Sequence, residues 1–317
     1  MQHGWGRRIG PVTLDDAMSS LPLAHVGGAV LAPLQVTGIL LIGFAYLRRA
    51  ATLAQRGTPV PSWRIWCFAS GLVVLVVAYV SPVDHIGEEL LLAHMTQHLL
   101  MGDIAALLLV LGLTGPLLQP ILAIKVFSKL RVLAHPLVAF PLWALNLFVW
   151  HLPALYEGAL SSPALHMLQH ICFVGFGVLM WMPLFGPLPK PSWFNLPAKV
   201  GYLLAVRFAG TILANVFIWS DANFYPAYDA SRAAEWGMSP LADQGVAGSI
   251  MLTEQGLVTF GVIAWLILLW ARQDTERQRL LDLAEATGAD LDSARAERAV
   301  AAGATDRLED RLRRGSA

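Results

Sequence analysis

Two short runs repeat one another: residues 94–98 read His-Met-Thr-Gln-His and residues 166–170 read His-Met-Leu-Gln-His. On a helix, residues four apart share a face and lie about 6 Å apart along the axis. Each copy therefore aims two imidazoles, His94 with His98 and His166 with His170, at one point. Imidazole is costly in lipid, and a histidine inside a membrane marks a functional site. If the two carrying helices pack with these faces together, four imidazoles converge on one centre. Two pairs of interhelical hydrogen bonds would use the same residues without an ion. Repetition of the pair at matched depth favours the ion. Met101 continues the stripe of His94 and His98 one turn deeper.

Four neutral imidazoles suit copper, zinc, iron or nickel, and a thioether neighbour leans toward Cu(I). Zinc stays open because the same spacing serves it. Iron also stays open, although neither run interleaves a carboxylate. A bis-imidazole haem takes one ligand from each of two facing helices and cannot use all four rings. Cys172 sits nearly opposite His170 on its helix and is a poor ligand.

The elements that must carry these residues are membrane helices. The chain of 317 residues is 56% hydrophobic and only 14% charged, with a mean hydropathy of +0.56. Soluble domains carry about 25% charged residues, so the solvent of this chain is lipid. Its formal net charge of zero gives no reason to expect a nucleic-acid partner. Two cysteines, Cys67 and Cys172, both in apolar runs, make no disulfide framework. A spanning helix needs about 20 apolar residues. Seven runs qualify: residues 26–47, 64–80, 90–113, 134–151, 164–185, 199–219 and 246–270. Lipid requires backbone groups to bond within their own segment, so the predicted fold is an all-α bundle of about seven transmembrane helices.

Lys and Arg orient it, because cytoplasmic connections are enriched in both. Arg48, Arg49, Arg56 and Arg64 fall in the first connection, Lys125, Lys129 and Arg131 in the third, Lys190 and Lys199 in the fifth. Arg272, Arg277 and Arg279 follow the last run on the same side. This predicts an outer N-terminus, a cytoplasmic C-terminus and outer ends for both histidine pairs. Arg7 and Arg8 are discordant. His3, His25, His85 and His151 then also lie outside or at outer helix ends, leaving His135 alone on the inner side. Three regions follow: an extracytoplasmic segment over 1–25, the membrane domain over 26–270, and a cytoplasmic tail over 271–317. The tail is predicted helical to about 286 and disordered beyond. The outer connection 220–245 holds Phe224, Tyr225, Tyr228 and Trp236. They fit either a cap over the site or an interfacial aromatic belt.

Longer stretches around these residues resemble a known family. Ser81-Pro82-Val83-Asp84, Gly87-Glu88 and Ala93-His94-Met95-Thr96-Gln97-His98-Leu99-Leu100 are similar to segments of the polytopic CtaG-type cytochrome c oxidase assembly factors. So are Trp150-His151-Leu152-Pro153-Ala154-Leu155-Tyr156 and Ala164-Leu165-His166-Met167-Leu168-Gln169-His170. Asp243-Gln244 with Gly248 is a weaker echo. The resemblance covers about residues 26–270. It implies a multi-pass protein of the bacterial plasma membrane that supports assembly of a haem–copper oxidase by handling copper, with oxidase subunits as partners. By this resemblance His94, His98, His166 and His170 handle the metal, and His151 joins them as a fifth.

Three functions stay in competition. The first is a non-enzymatic copper-binding assembly factor. The second is a copper carrier or importer, which needs a polar or Met-lined path below the site; Met101, Asp103 and Asn146 are its candidates. The third is a zinc- or iron-dependent membrane enzyme.

Overall fold

A computed structural model describes residues 23–80, 82–124, 129–228, 236–301 and 303–315. His3 lies outside these, as does most of the expected N-terminal segment. The described residues form helices and no strand. In chain order these are α1 (Leu23–Gln55), α2 (Ser62–Val80), α3 (Pro82–Gly87), α4 (Leu91–Gly112) and α5 (Gly115–Leu122). Then come α6 (Pro136–Trp150), α7 (Pro153–Ser161), α8 (Pro163–Phe185), α9 (Leu196–Trp219) and α10 (Pro240–Thr287). Two short helices, α11 (Ser293–Ala301) and α12 (Thr305–Arg313), end the chain. His25 belongs to α1.

Six of these helices are long and apolar enough to cross a membrane: α1, α2, α4, α8, α9 and α10. Their outward side chains agree. Leu40 and Phe44 on α1, Phe208 on α9, and Leu257 and Phe260 on α10 are all more than 60% exposed. Water would drive such a surface to aggregate, whereas lipid is its natural solvent.

The fourth expected span differs. Residues 136–150 form α6, whose 15 residues reach only about 22 Å against a hydrocarbon core of about 30 Å. The chain then bends by 69° into α7. Pro153 causes the bend: it has no N–H to continue the helix, and it forces Leu152 into an extended conformation with ψ of 130°. A seventh span is reached only if the bent pair α6–α7 counts as one.

The chain divides into two compact units, one running to Lys190 and resuming over Phe208–Leu252, the other comprising Pro191–Arg207 and Thr253–Ala317. In the first unit α4 is interrupted. Leu100–Ala105 adopts a π-helical turn, a feature that appears mostly as single-turn bulges near functional sites. Its lower end is held by α2, where Arg64 Nη1 donates to the Leu111 and Leu113 carbonyls at 2.9 and 2.8 Å. Those carbonyls have no partner within the helix.

In the second unit the tail is folded rather than disordered beyond residue 286. Leu308 and Leu312, one turn apart on α12, are buried with Ala296 of α11 against Leu280 and Ala284 of α10. Glu309 accepts hydrogen bonds from Arg279 and Arg313 at the edge of this cluster. A charge-rich sequence hides this core because only a few small and branched residues build it. Leu312→Glu is expected to release α11 and α12, at a cost of about 2–5 kcal/mol typical of losing a buried leucine. Hydrogen exchange over 288–315 would rise while exchange in α4 and α8 stays unchanged.

Candidate metal centre

The two histidine runs face each other. α4 and α8 meet where Gly102 and Gly177 touch backbone to backbone: a Cβ on Gly177 would collide with the Gly102 carbonyl oxygen and lie 2.8 Å from its carbon. Small residues permit such close approach between membrane helices. Gly102 follows His98 by one turn and Gly177 follows His170 by two, so this contact sets the distance between the two pairs.

Above it the four rings form one cluster. Ring centroids of His94 and His98 lie 4.4 Å apart, those of His166 and His170 4.1 Å. Across the helices His94 is 5.2 Å from His166 and His98 is 5.5 Å from His170. One ring nitrogen from each of the four lies within 4.8 Å of all the others. Donors to a single four-coordinate ion, with bonds of ~2.0–2.1 Å, stand about 3–4 Å apart. Side-chain shifts below about 1 Å would close this set.

The nitrogens themselves ask for a ligand. His94, His98 and His170 are at most 5% exposed and His166 is half-buried. Nδ1 of His98, Nε2 of His166 and both nitrogens of His170 have no hydrogen-bond partner among the described residues. Buried polar atoms are paired in the large majority of cases, and several orphans in one cluster require an explanation. Only His94 and His98 satisfy each other, with their Nε2 atoms 3.0 Å apart. Four convergent imidazoles, three of them with nitrogens lacking a partner among the described residues, fit a soft or borderline cation.

Comparison with known proteins supplies the rest. The family model of the cytochrome c oxidase caa3 assembly factor matches residues 44–273. The chain belongs to that family. Uncharacterized proteins of Mycobacterium bovis and Mycobacterium tuberculosis are each 28% identical to it over 258 residues, 74% of this chain. One of Mycobacterium leprae is 25% identical. The chain spans 38% of the length of these curated relatives. No solved structure matches it. The assembly-factor match contains all four clustered histidines, and it ends before α11 and α12.

Of the remaining sequence candidates, His151 lies beside the cluster and the others lie elsewhere. His151 is buried next to it, its ring 6.4 Å from that of His98. Its Nδ1 meets the Leu147 carbonyl at 2.7 Å, and its Nε2 has no partner among the described residues. A carbonyl only accepts, so Nδ1 carries the proton and Nε2 presents a lone pair. Met101 is fully buried in the apolar cluster with Ala78 and Tyr79, and Tyr79 in turn lies 5.4 Å from His170. His85 is exposed beside Glu89, and His135 caps α6. Asp103 accepts from Trp181 Nε1 of α8 at 2.9 Å. A regular α-helix would point Asp103 away from α8; the π-helical turn brings it round between the two helices.

Phe173 shapes the site and was not singled out from sequence, whereas the tyrosines of the 220–245 connection were. Phe173 stacks on His98 with centroids 4.3 Å apart. Tyr156 of α7 lies 5.2 Å from His94 and stacks on Tyr225 at 4.0 Å. Tyr225 and Tyr228 are buried, whereas Trp219 and Trp236 are exposed. The aromatic connection is thus a cap through its tyrosines, and its tryptophans stay at the surface. Asp243 and Gln244 anchor that architecture. Asp243 accepts from the backbone N–H groups of Leu91 and Leu92 at 2.7 and 2.9 Å. Gln244 accepts from Phe224 N–H and donates to the Ala222 carbonyl. Gly248 lets α10 approach α9, since a Cβ there would lie 2.6 Å from the Ala214 carbonyl oxygen.

Proposed function

We propose that this chain is a non-enzymatic assembly factor that holds copper for a haem–copper cytochrome c oxidase in a bacterial plasma membrane. His94, His98, His166 and His170 are the ligands, with His151 as an adjacent fifth donor and Met101 as the nearby thioether. The observation that carries this reading is the set of four imidazole donors within 4.8 Å. Family membership supplies the oxidase. The distribution of Lys and Arg favours an outer position for the cluster, where copper delivered from outside would meet it. A thioether contribution from Met101 would favour copper over zinc or iron. The oxidase active site lies in the partner, so contact between the two proteins is part of the function.

The carrier reading needs a path beneath the cluster. The floor supports holding over passage: Phe173 stacks on His98, Gly102 and Gly177 touch, and Met101 and Trp181 are fully buried. Purified protein is expected to bind stoichiometric copper and to lose it in His94→Ala and His170→Ala. Stoichiometric zinc or iron with copper excluded would sink the proposal. In cells, deletion is expected to lower oxidase activity under copper limitation, with recovery on copper addition. Normal activity in copper-limited cells would count against the assembly role.

A further inference from the structure

Among the described residues, the ring of His94 has its second nitrogen engaged. Its Nδ1 lies 3.2 Å from the Tyr228 hydroxyl, which itself donates to the Gly87 carbonyl at 3.0 Å. The phenol has one proton. The phenol donates to the Gly87 carbonyl, which only accepts, and in that arrangement its oxygen accepts from His94 Nδ1. His94 Nδ1 then carries the hydrogen, whereas a phenol that donated to His94 would leave the Gly87 carbonyl without that donor. The second phenol lone pair is met by Tyr156, whose hydroxyl lies 3.2 Å away.

The consequence falls on the opposite nitrogen. A neutral imidazole carries one hydrogen, so Nε2 of His94, the atom that faces His98, keeps its lone pair. Outer partners of this kind fix the tautomer and ring orientation of metal-binding histidines. We infer that Tyr228 is a positioning residue that presets His94 for metal binding by holding it as the Nδ1–H tautomer. The inference rests on the metal-centre reading above. It also gives the Asp243–Gln244 pair a purpose: Asp243 fixes the start of the helix bearing His94, and Gln244 fixes the segment leading to Tyr228.

The test uses the full chain in detergent, with labelled histidine and Cu(I) as the probe. His94 is assigned by difference against His94→Ala. In metal-free protein the nitrogen spectrum is expected to show His94 as Nδ1–H, and Tyr228→Phe is expected to move it toward Nε2–H. The same variant should weaken Cu(I) binding about ten- to a hundred-fold, the usual effect of losing such a partner. Trp236→Phe removes an exposed hydrogen bond from the same connection to Glu89 without touching the cluster and should leave both readouts near wild type, which separates tautomer control from general damage to the cap. An unchanged His94 tautomer in Tyr228→Phe overturns the inference. Failure of wild-type protein to bind Cu(I) would instead remove the copper proposal, while the metal-free spectrum still decides the role of Tyr228.

Discussion

Gly177→Ala is expected to abolish the proposed copper binding, while Gly102→Ala leaves most of it in place. The two glycines face each other, yet their surroundings differ. A methyl group on Gly177 runs into the Gly102 carbonyl and comes within 3.0 Å of the Ala106 Cβ. Neither neighbour can swing away, because one is backbone and the other is a Cβ. The helices must separate, and the histidine pairs separate with them. On Gly102 the nearest atom to an added Cβ is the Phe173 carbonyl oxygen at 3.4 Å, an ordinary contact. Overpacking of this kind typically costs about 1–3 kcal/mol. The functional loss should exceed that figure, because four-ligand binding fails when one pair moves by more than about 1 Å. Metal content and thermal stability of both purified variants check the asymmetry.

Asp243→Ala is expected to destabilise the membrane domain and to displace His94. The residue before α4 is Leu90, which has no side-chain acceptor for the first N–H groups of the helix. Asp243 provides that cap from α10, 152 residues away in sequence from Leu91. Removing it leaves two N–H groups without their acceptor. Hydrogen bonds to a charged group contribute about 1.5–3 kcal/mol each, so a loss on the order of 3 kcal/mol follows. Asp243→Asn retains one acceptor oxygen and should lose roughly half as much. Thermal unfolding in detergent reads the stability, and copper affinity reads the displacement of His94. Equal stability of the alanine variant and the parent would remove this cap from the account.

What was legible in the sequence follows from how local each feature is. The histidine pairs were readable because a four-residue spacing has a fixed meaning on a helix, and lipid makes intramembrane imidazole conspicuous. Six spans were readable from length and apolarity alone. The fourth run, read over 134–151, gave a helix of only 15 residues, because its length alone did not show that the chain bends at Pro153. Gly177 carries no mark that separates it from the other glycines; only its partner across the interface makes it critical. The π-helical turn after Leu99 has no residue signature, and it redirects Asp103 toward Trp181. Asp243 stood out only as part of a weak family echo, and its role as a cap shows once the backbone of Leu91 and Leu92 is placed beside it. The tyrosines of the cap were visible as aromatics, but burial alone distinguishes them from the exposed Trp219 and Trp236. In the tail, a core of five small and aliphatic residues is too sparse to stand out against the charges.

X-ray absorption at the copper edge of the loaded, full-length protein tests the central claim most directly. The account predicts a single copper environment dominated by imidazole nitrogen, with at most one sulfur from Met101, and a lower imidazole count in His166→Ala. A sulfur-dominated shell, or a spectrum unchanged by His166→Ala, would contradict convergence of the two histidine pairs on one ion.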